Sequence, residues 1–191
     1  RGHILWDELF IFPILNWRLP EVTRRVLLYR YRRLDAARYN AHTKGFQGAM
    51  FPWQSGSDGR EESQRVHLNP RSGRWIPDHS RRQRHVNAAI AYNVYQYYQV
   101  TQDMEFLTFY GAEMILEIAR FWGSIATFSK EHDRYVIHGV MGPDEFHEGY
   151  PGAENPGLNN NAYTNVMAVW VLARALEILE ILPEDHADKL M

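Results

Sequence analysis

An all-α fold built from helical hairpins is what this sequence predicts, and three observations carry the prediction. Apolar residues recur at the helical period over residues 85–100, 107–125 and 163–179. The turn Thr101-Gln102-Asp103 between the first two helices is short, so they form an antiparallel pair. The residues with reactive side chains fall in the aperiodic stretches between helices, which puts a working site at one end of a bundle or barrel. The 191 residues suit a single domain spanning 1–191.

In chain order, residues 4–17 are rich in Ile, Leu, Phe and Trp. They predict a short loop and then a buried helix that is kinked or started near Pro13. Trp6-Asp7-Glu8 at its front reads either as a sugar-binding edge or as a buried Trp with an Asp N-cap. Pro20 and Glu21 open a second helix running to about Arg33, whose arginines are spread around it and predict a solvated face. Asp35 is the expected cap of a short third helix ending at Gly45. Residues 46–82 have no period, and a loop of that length inside a domain is usually functional. Trp53, held by Pro52, offers a flat ring there, and Arg60, Arg65, Arg71, Arg74, Arg81 and Arg82 offer anion contacts that Glu61, Glu62 and Asp78 partly offset.

The helix over 85–100 presents Val86, Ile90, Val94 and Tyr97 on one face, and Asp103 caps the helix after it. A small β-hairpin is expected near 128–141. Asn160 or Asn161 then caps a last helix with Tyr163, Val166, Met167, Trp170, Ala173, Leu176 and Leu179 on its face, and Pro183 stops it.

Composition removes several classes of function. Hydrophobic residues make up 45%, enough for a true core. Cysteine is absent, so neither disulfides nor thiolate-bound metal can form. A net charge of −2 gives no general pull toward nucleic acid or anionic membrane. No apolar run is long enough to span a bilayer. There is no His-x-x-x-His pair, so no metal is expected. The aromatic share of 14% suits sugar faces and helix contacts equally. The first residue is Arg1 rather than Met, which points to a segment of a longer protein.

The stretch Gly142-Pro143-Asp144-Glu145-Phe146-His147-Glu148 concentrates the chemistry. Gly-Pro breaks regular structure and leaves the carboxylates on a loop. Such a stretch reads first as a solvated acidic turn. Its chemical reading is a carboxyl made more basic by an apolar neighbour, here Phe146, so that it can protonate a leaving oxygen.

Five stretches, in order and approximate spacing along the whole chain, resemble the central catalytic domain of glycoside hydrolase family 65. They are His3 to Glu8, Leu28 to Arg32, Gly45 to Trp53, Gly142 to His147 and Asn160 to Asn165. The resemblance implies part of an (α/α)6 barrel, with the flanking domains of the parent absent. It implies cleavage of an α-glucosidic bond of a disaccharide with inversion, by hydrolysis or phosphorolysis. Glu145 would be the general acid, with Trp6, Asp7, Trp53, Gln54, Asp144 and His147 around the substrate. No cofactor is implied, only inorganic phosphate as co-substrate of a phosphorylase. The implied setting is cytoplasmic, with an α-linked glucose disaccharide as ligand, no nucleic acid or membrane partner, and a homodimer of the parent as its assembly. Gln54 departs from the glutamate common after that Trp, which alters a contact to a sugar hydroxyl. The base or phosphate site of the family would lie beyond Met191, which leaves hydrolysis against phosphorolysis open. A non-catalytic sugar-binding or scaffold module on the same barrel is the alternative reading.

Overall fold

The computed structural model describes residues 3–144 and 147–191. Glu145 and Phe146, and with them the expected general acid, lie outside the described residues. The fold is helical, with α1 (Glu8–Arg18), α2 (Pro20–Tyr31), α3 (Leu34–His42), α4 (Val86–Thr101), α5 (Met104–Phe106), α6 (Ala112–Ile125), α7 (Ala162–Ile181) and α8 (Glu184–Leu190). Two antiparallel hairpins interrupt it: β1 (Val66–Asn69) with β2 (Arg74–Pro77), and β3 (Thr127–Ser129) with β4 (Arg134–Val136).

The core gathers on α4 and α6. Met114, Ile115, Ile118, Phe121 and Trp122 of α6 are buried against Ala88, Ala91 and Val94 of α4 and Leu27 of α2. A π-helical turn, Leu107–Gly111, leads into α6, and Asp103 caps the segment by accepting from the Phe106 N–H at 2.9 Å. On α7 the buried residues are Thr164, Ala168, Val171, Ala175 and Ile178. Three of these five are small, so the helix comes close to α6, and larger residues face outward. Val166, Leu176 and Ala173 are exposed, which corrects the expected apolar face of this helix. Asn161 is its cap, accepting from the Thr164 N–H at 3.0 Å.

Further expectations are corrected. The α1 helix begins at Glu8 rather than near Pro13, which lies inside it and costs it one backbone bond. It is not a buried helix: only Phe12 and Asn16 are buried, and Phe10, Ile14 and Trp17 are each more than half exposed. Asp7 makes no side-chain cap bond there, and Asp35 lies inside the first turn of α3 rather than capping it. Among the α2 arginines, Arg30 is buried and its guanidinium bonds Glu8 at 2.5 Å and the Leu5 carbonyl at 3.3 Å. The stretch 46–82 is not wholly irregular, because it contains the β1–β2 hairpin.

One close approach fixes how that stretch leaves the core. Ala49 N–H donates to the Glu117 carbonyl of α6 at 2.9 Å. Gly48 beside it has a φ of +66°, and a Cβ there would meet Glu117 O at 2.2 Å. Only glycine lets the backbone pass so near the helix.

Candidate active site

The segment Phe51-Pro52-Trp53-Gln54 follows this approach and carries Trp53 to the end of the helices. Asn87 of α4 anchors its start, accepting from the Phe51 N–H at 2.6 Å and donating to the Arg84 carbonyl at 2.9 Å. Glu61 anchors its end. Its carboxylate accepts from the backbone N–H of Trp53 at 2.9 Å and of Gln54 at 3.2 Å, and from the Ser63 hydroxyl at 2.6 Å. A carboxylate with several donors holds a loop firmly, because each bond to a charged acceptor is stronger than a neutral one. The chain start is tied to the same place, since Ile4 and Ser55 exchange backbone bonds at 2.9 and 3.0 Å.

These ties bring Trp6 against Trp53, with ring centroids 5.9 Å apart and planes tilted by 45°. Both rings rest on His85, at 4.7 and 5.3 Å, and Tyr163 of α7 closes its other side at 5.7 Å. The four rings come from four separate segments and form one continuous aromatic wall. The tryptophans already touch, so a sugar would lie on their shared face rather than between them.

His85 is fully buried in that wall, and burial pushes its pKa down to about 4. The imidazole is therefore neutral at neutral pH. Its Nε2 lies 3.1 Å from the Gln83 Oε1, and its Nδ1 has no partner among the described residues.

The acidic loop sits beside this wall. Its base is closed by a bridge in which Val140 and Leu158 exchange backbone bonds at 3.2 and 2.7 Å. It is joined to the segment before His85 on two sides: the Met141 N–H donates to the Arg82 carbonyl at 3.0 Å, and the Arg82 guanidinium donates to the Gly139 carbonyl at 3.1 Å. Within the loop the Gly142 N–H donates to the His147 carbonyl at 3.1 Å. The His147 ring packs so closely over Gly142 that a Cβ there would meet its Nδ1 at 2.5 Å. Asp144 is largely exposed, with its Oδ2 3.8 Å from His147 Nδ1.

Of the residues that the sequence nominates, the structure brings Trp6, Trp53 and Gln54 together and leaves Asp7 exposed. His147 and Asp144 are neighbours of each other, and no contact joins either to the tryptophans among the described residues. Sequence reasoning did not single out His85, Glu61, Asn87 or Arg84. The one usable signal was a histidine at the head of an otherwise apolar helix face. Among the described residues no three His, Asp or Glu side chains are grouped to hold a metal ion, and no helix is long and apolar enough to cross a membrane.

Helical hairpins that support an aromatic wall beside an acidic loop suit a carbohydrate-active class of protein. The chain belongs to glycosyl hydrolase family 65, and residues 1–190 match the model of that family's central catalytic domain. An uncharacterized glycosyl hydrolase of Mycobacterium tuberculosis is 61% identical over 183 residues, covering 96% of this chain and 14% of that protein. The trehalose 6-phosphate phosphorylase of Lactococcus lactis is 52% identical, covering 94% of this chain and 23% of that one. A solved structure described as "Putative kojibiose phosphorylase from human microbiome" superposes with a TM-score of 0.80 at 27% identity, over 99% of this chain and 23% of that one. The chain thus spans a quarter or less of the length of these relatives, and its helices are part of an (α/α)6 barrel.

Proposed function

We propose that this chain is the central segment of a catalytic barrel that cleaves an α-glucosidic bond of a disaccharide with inversion. The observation that carries the reading is the Trp6–Trp53 wall, held on His85 next to the loop of the Gly-Pro-Asp-Glu motif. A glucosyl ring stacks on the wall, and Asp7, Gln54, Asp144 and His147 are the polar groups assigned to its hydroxyls. Glu145 is the general acid. Its carboxyl proton passes to the glycosidic oxygen as the bond from that oxygen to the anomeric carbon breaks. A nucleophile attacks the anomeric carbon from the opposite face and reverses its configuration.

Phosphorolysis is the branch favoured by relatives such as the trehalose 6-phosphate, kojibiose and 1,2-alpha-glucosylglycerol phosphorylases, which are phosphorylases by name. Inorganic phosphate is then the nucleophile, and the product is a β-configured glucose 1-phosphate. A cytoplasmic setting and a homodimer belong to the same reading. The test is product analysis of the intact protein with α-linked glucose disaccharides, with and without phosphate. The reading predicts phosphate-dependent release of β-glucose 1-phosphate, lost in Trp53→Ala. Release of an α-configured product, or none with any α-glucoside, would overturn it.

A further inference from the structure

A second feature lies one residue away from the aromatic wall. Lys44, Arg81, Arg82, Arg84 and His138 line a cleft of about 370 Å³ between the turn after α3, the turn before α4 and the exit of β4. No carboxylate among the described residues lines it. Among the described residues, none of Lys44, Arg81, Arg82 and Arg84 has a carboxylate within 4.0 Å. Three of the four acids of the same stretch, Asp58, Glu61 and Asp78, are engaged elsewhere. Glu61 holds the Trp53 loop, Asp58 pairs with Arg60 at 2.6 Å, and Asp78 accepts from Ser80 and from Gln64.

The cations are also held in place. The Arg82 guanidinium is fixed to the Gly139 carbonyl, and the Arg84 backbone is fixed to Asn87. Arg84 is half-buried, and desolvation pushes its pKa down to about 10, against the pull of the more distant Glu61 carboxylate and with Arg82 and Arg81 adding repulsion. A fold that gathers four like charges, two of them half-buried, loses stability unless an anion joins them. Guanidinium groups in a preformed concave site match the oxygens of a phosphoryl group.

We infer that this cleft holds the phosphoryl group of a phosphorylated α-glucoside, a phosphate monoester on the sugar at a position away from the bond that is cut. The inference rests on the reading given above and deepens it: the wall stacks one sugar, and the cleft selects an anionic substrate over a neutral one. The same cations would also suit free inorganic phosphate, so the experiment separates the two sources.

The intact protein is assayed with trehalose and trehalose 6-phosphate, and the KM for inorganic phosphate is measured alongside, in the wild type and in Arg84→Gln, Lys44→Gln and Arg81→Gln. The wild type is expected to prefer the phosphorylated disaccharide by at least about tenfold. The preference, as a ratio of kcat/KM values, should fall about ten- to a hundredfold in Arg84→Gln and less in the more exposed pair. A rise confined to the KM for inorganic phosphate would overturn the inference and make the cleft the seat of the nucleophile. Equal losses on both disaccharides, or no change in any variant, would also overturn it. Lys44 and Arg81 are exposed, so their variants report even where Arg84→Gln fails to fold. Turnover of neither disaccharide would refute the proposed activity instead. Calorimetry with glucose 6-phosphate against glucose then decides the cleft: selective binding of the ester, weakened in the variants, upholds it, and equal or absent binding overturns it.

Discussion

Acidification from pH 7 to pH 4 is expected to weaken the fold by about 3 kcal/mol through His85 alone. The native imidazole titrates at about 4 and an ordinary one at 6.5, a difference of about 2.5 pH units. Each unit corresponds to about 1.36 kcal/mol, which gives the figure. Between those two values the unfolded chain binds a proton that the native wall excludes. Stability is therefore complete above pH 6.5, falls as the pH falls through the window, and levels off below pH 4. Denaturant unfolding followed by tryptophan fluorescence, at steps from pH 7 to 4, measures the wild type against His85→Gln. Other carboxylates and histidines contribute equally to both curves, so their difference isolates His85. The variant should lose the 4-to-6.5 component. Parallel curves, or a His85 resonance that titrates above pH 6, would refute the burial of this ring beneath Trp6 and Trp53.

Three other outcomes can be checked together. Glu8→Ala leaves the buried Arg30 guanidinium uncompensated and should cost about 3–5 kcal/mol in the same unfolding assay, with a smaller loss if Arg30 is replaced as well. Gly48→Ala forces a left-handed backbone on a residue with a Cβ and drives it into α6, which should cost at least about 2 kcal/mol in thermal melts. Glu61→Gln keeps the shape of the anchor but removes its charge. It should raise the KM for the disaccharide several-fold with little effect on melting temperature, because it loosens the Trp53 loop and not the core.

The helices that bury one apolar face announce themselves by period, and α4 and α6 lie where that period puts them. The α7 helix was readable as a helix but not in its orientation. Its sequence has apolar residues all round, and the narrow seam against α6 selected Thr164, Ala168 and Ala175 instead of the larger side chains. The β1–β2 hairpin was unreadable for the opposite reason. Val66, Leu68 and Trp75 in it are exposed, so neither face alternates toward a core.

The same distinction holds at the site. Trp6, Trp53 and the acidic motif were visible as residue types that suit sugar chemistry. Glu61 and Asn87 were not, because their partners are backbone groups of Trp53, Gln54 and Phe51, which no side-chain pattern records. His85 became notable only when three rings from distant segments closed over it. Arg81 and Arg82 drew attention by charge alone, and Arg84 drew none. Their significance follows from which acids are already occupied, and that is a property of the folded molecule.

The role of Glu145 as proton donor is tested most directly by how turnover of Glu145→Gln depends on the leaving group. A disaccharide leaves as a poor alkoxide and needs a proton, whereas α-glucosyl fluoride leaves without one. The account predicts that the variant loses about 10²- to 10⁴-fold on the disaccharide and far less on the fluoride. Equal losses on both substrates, or near-normal turnover of the disaccharide, would contradict it.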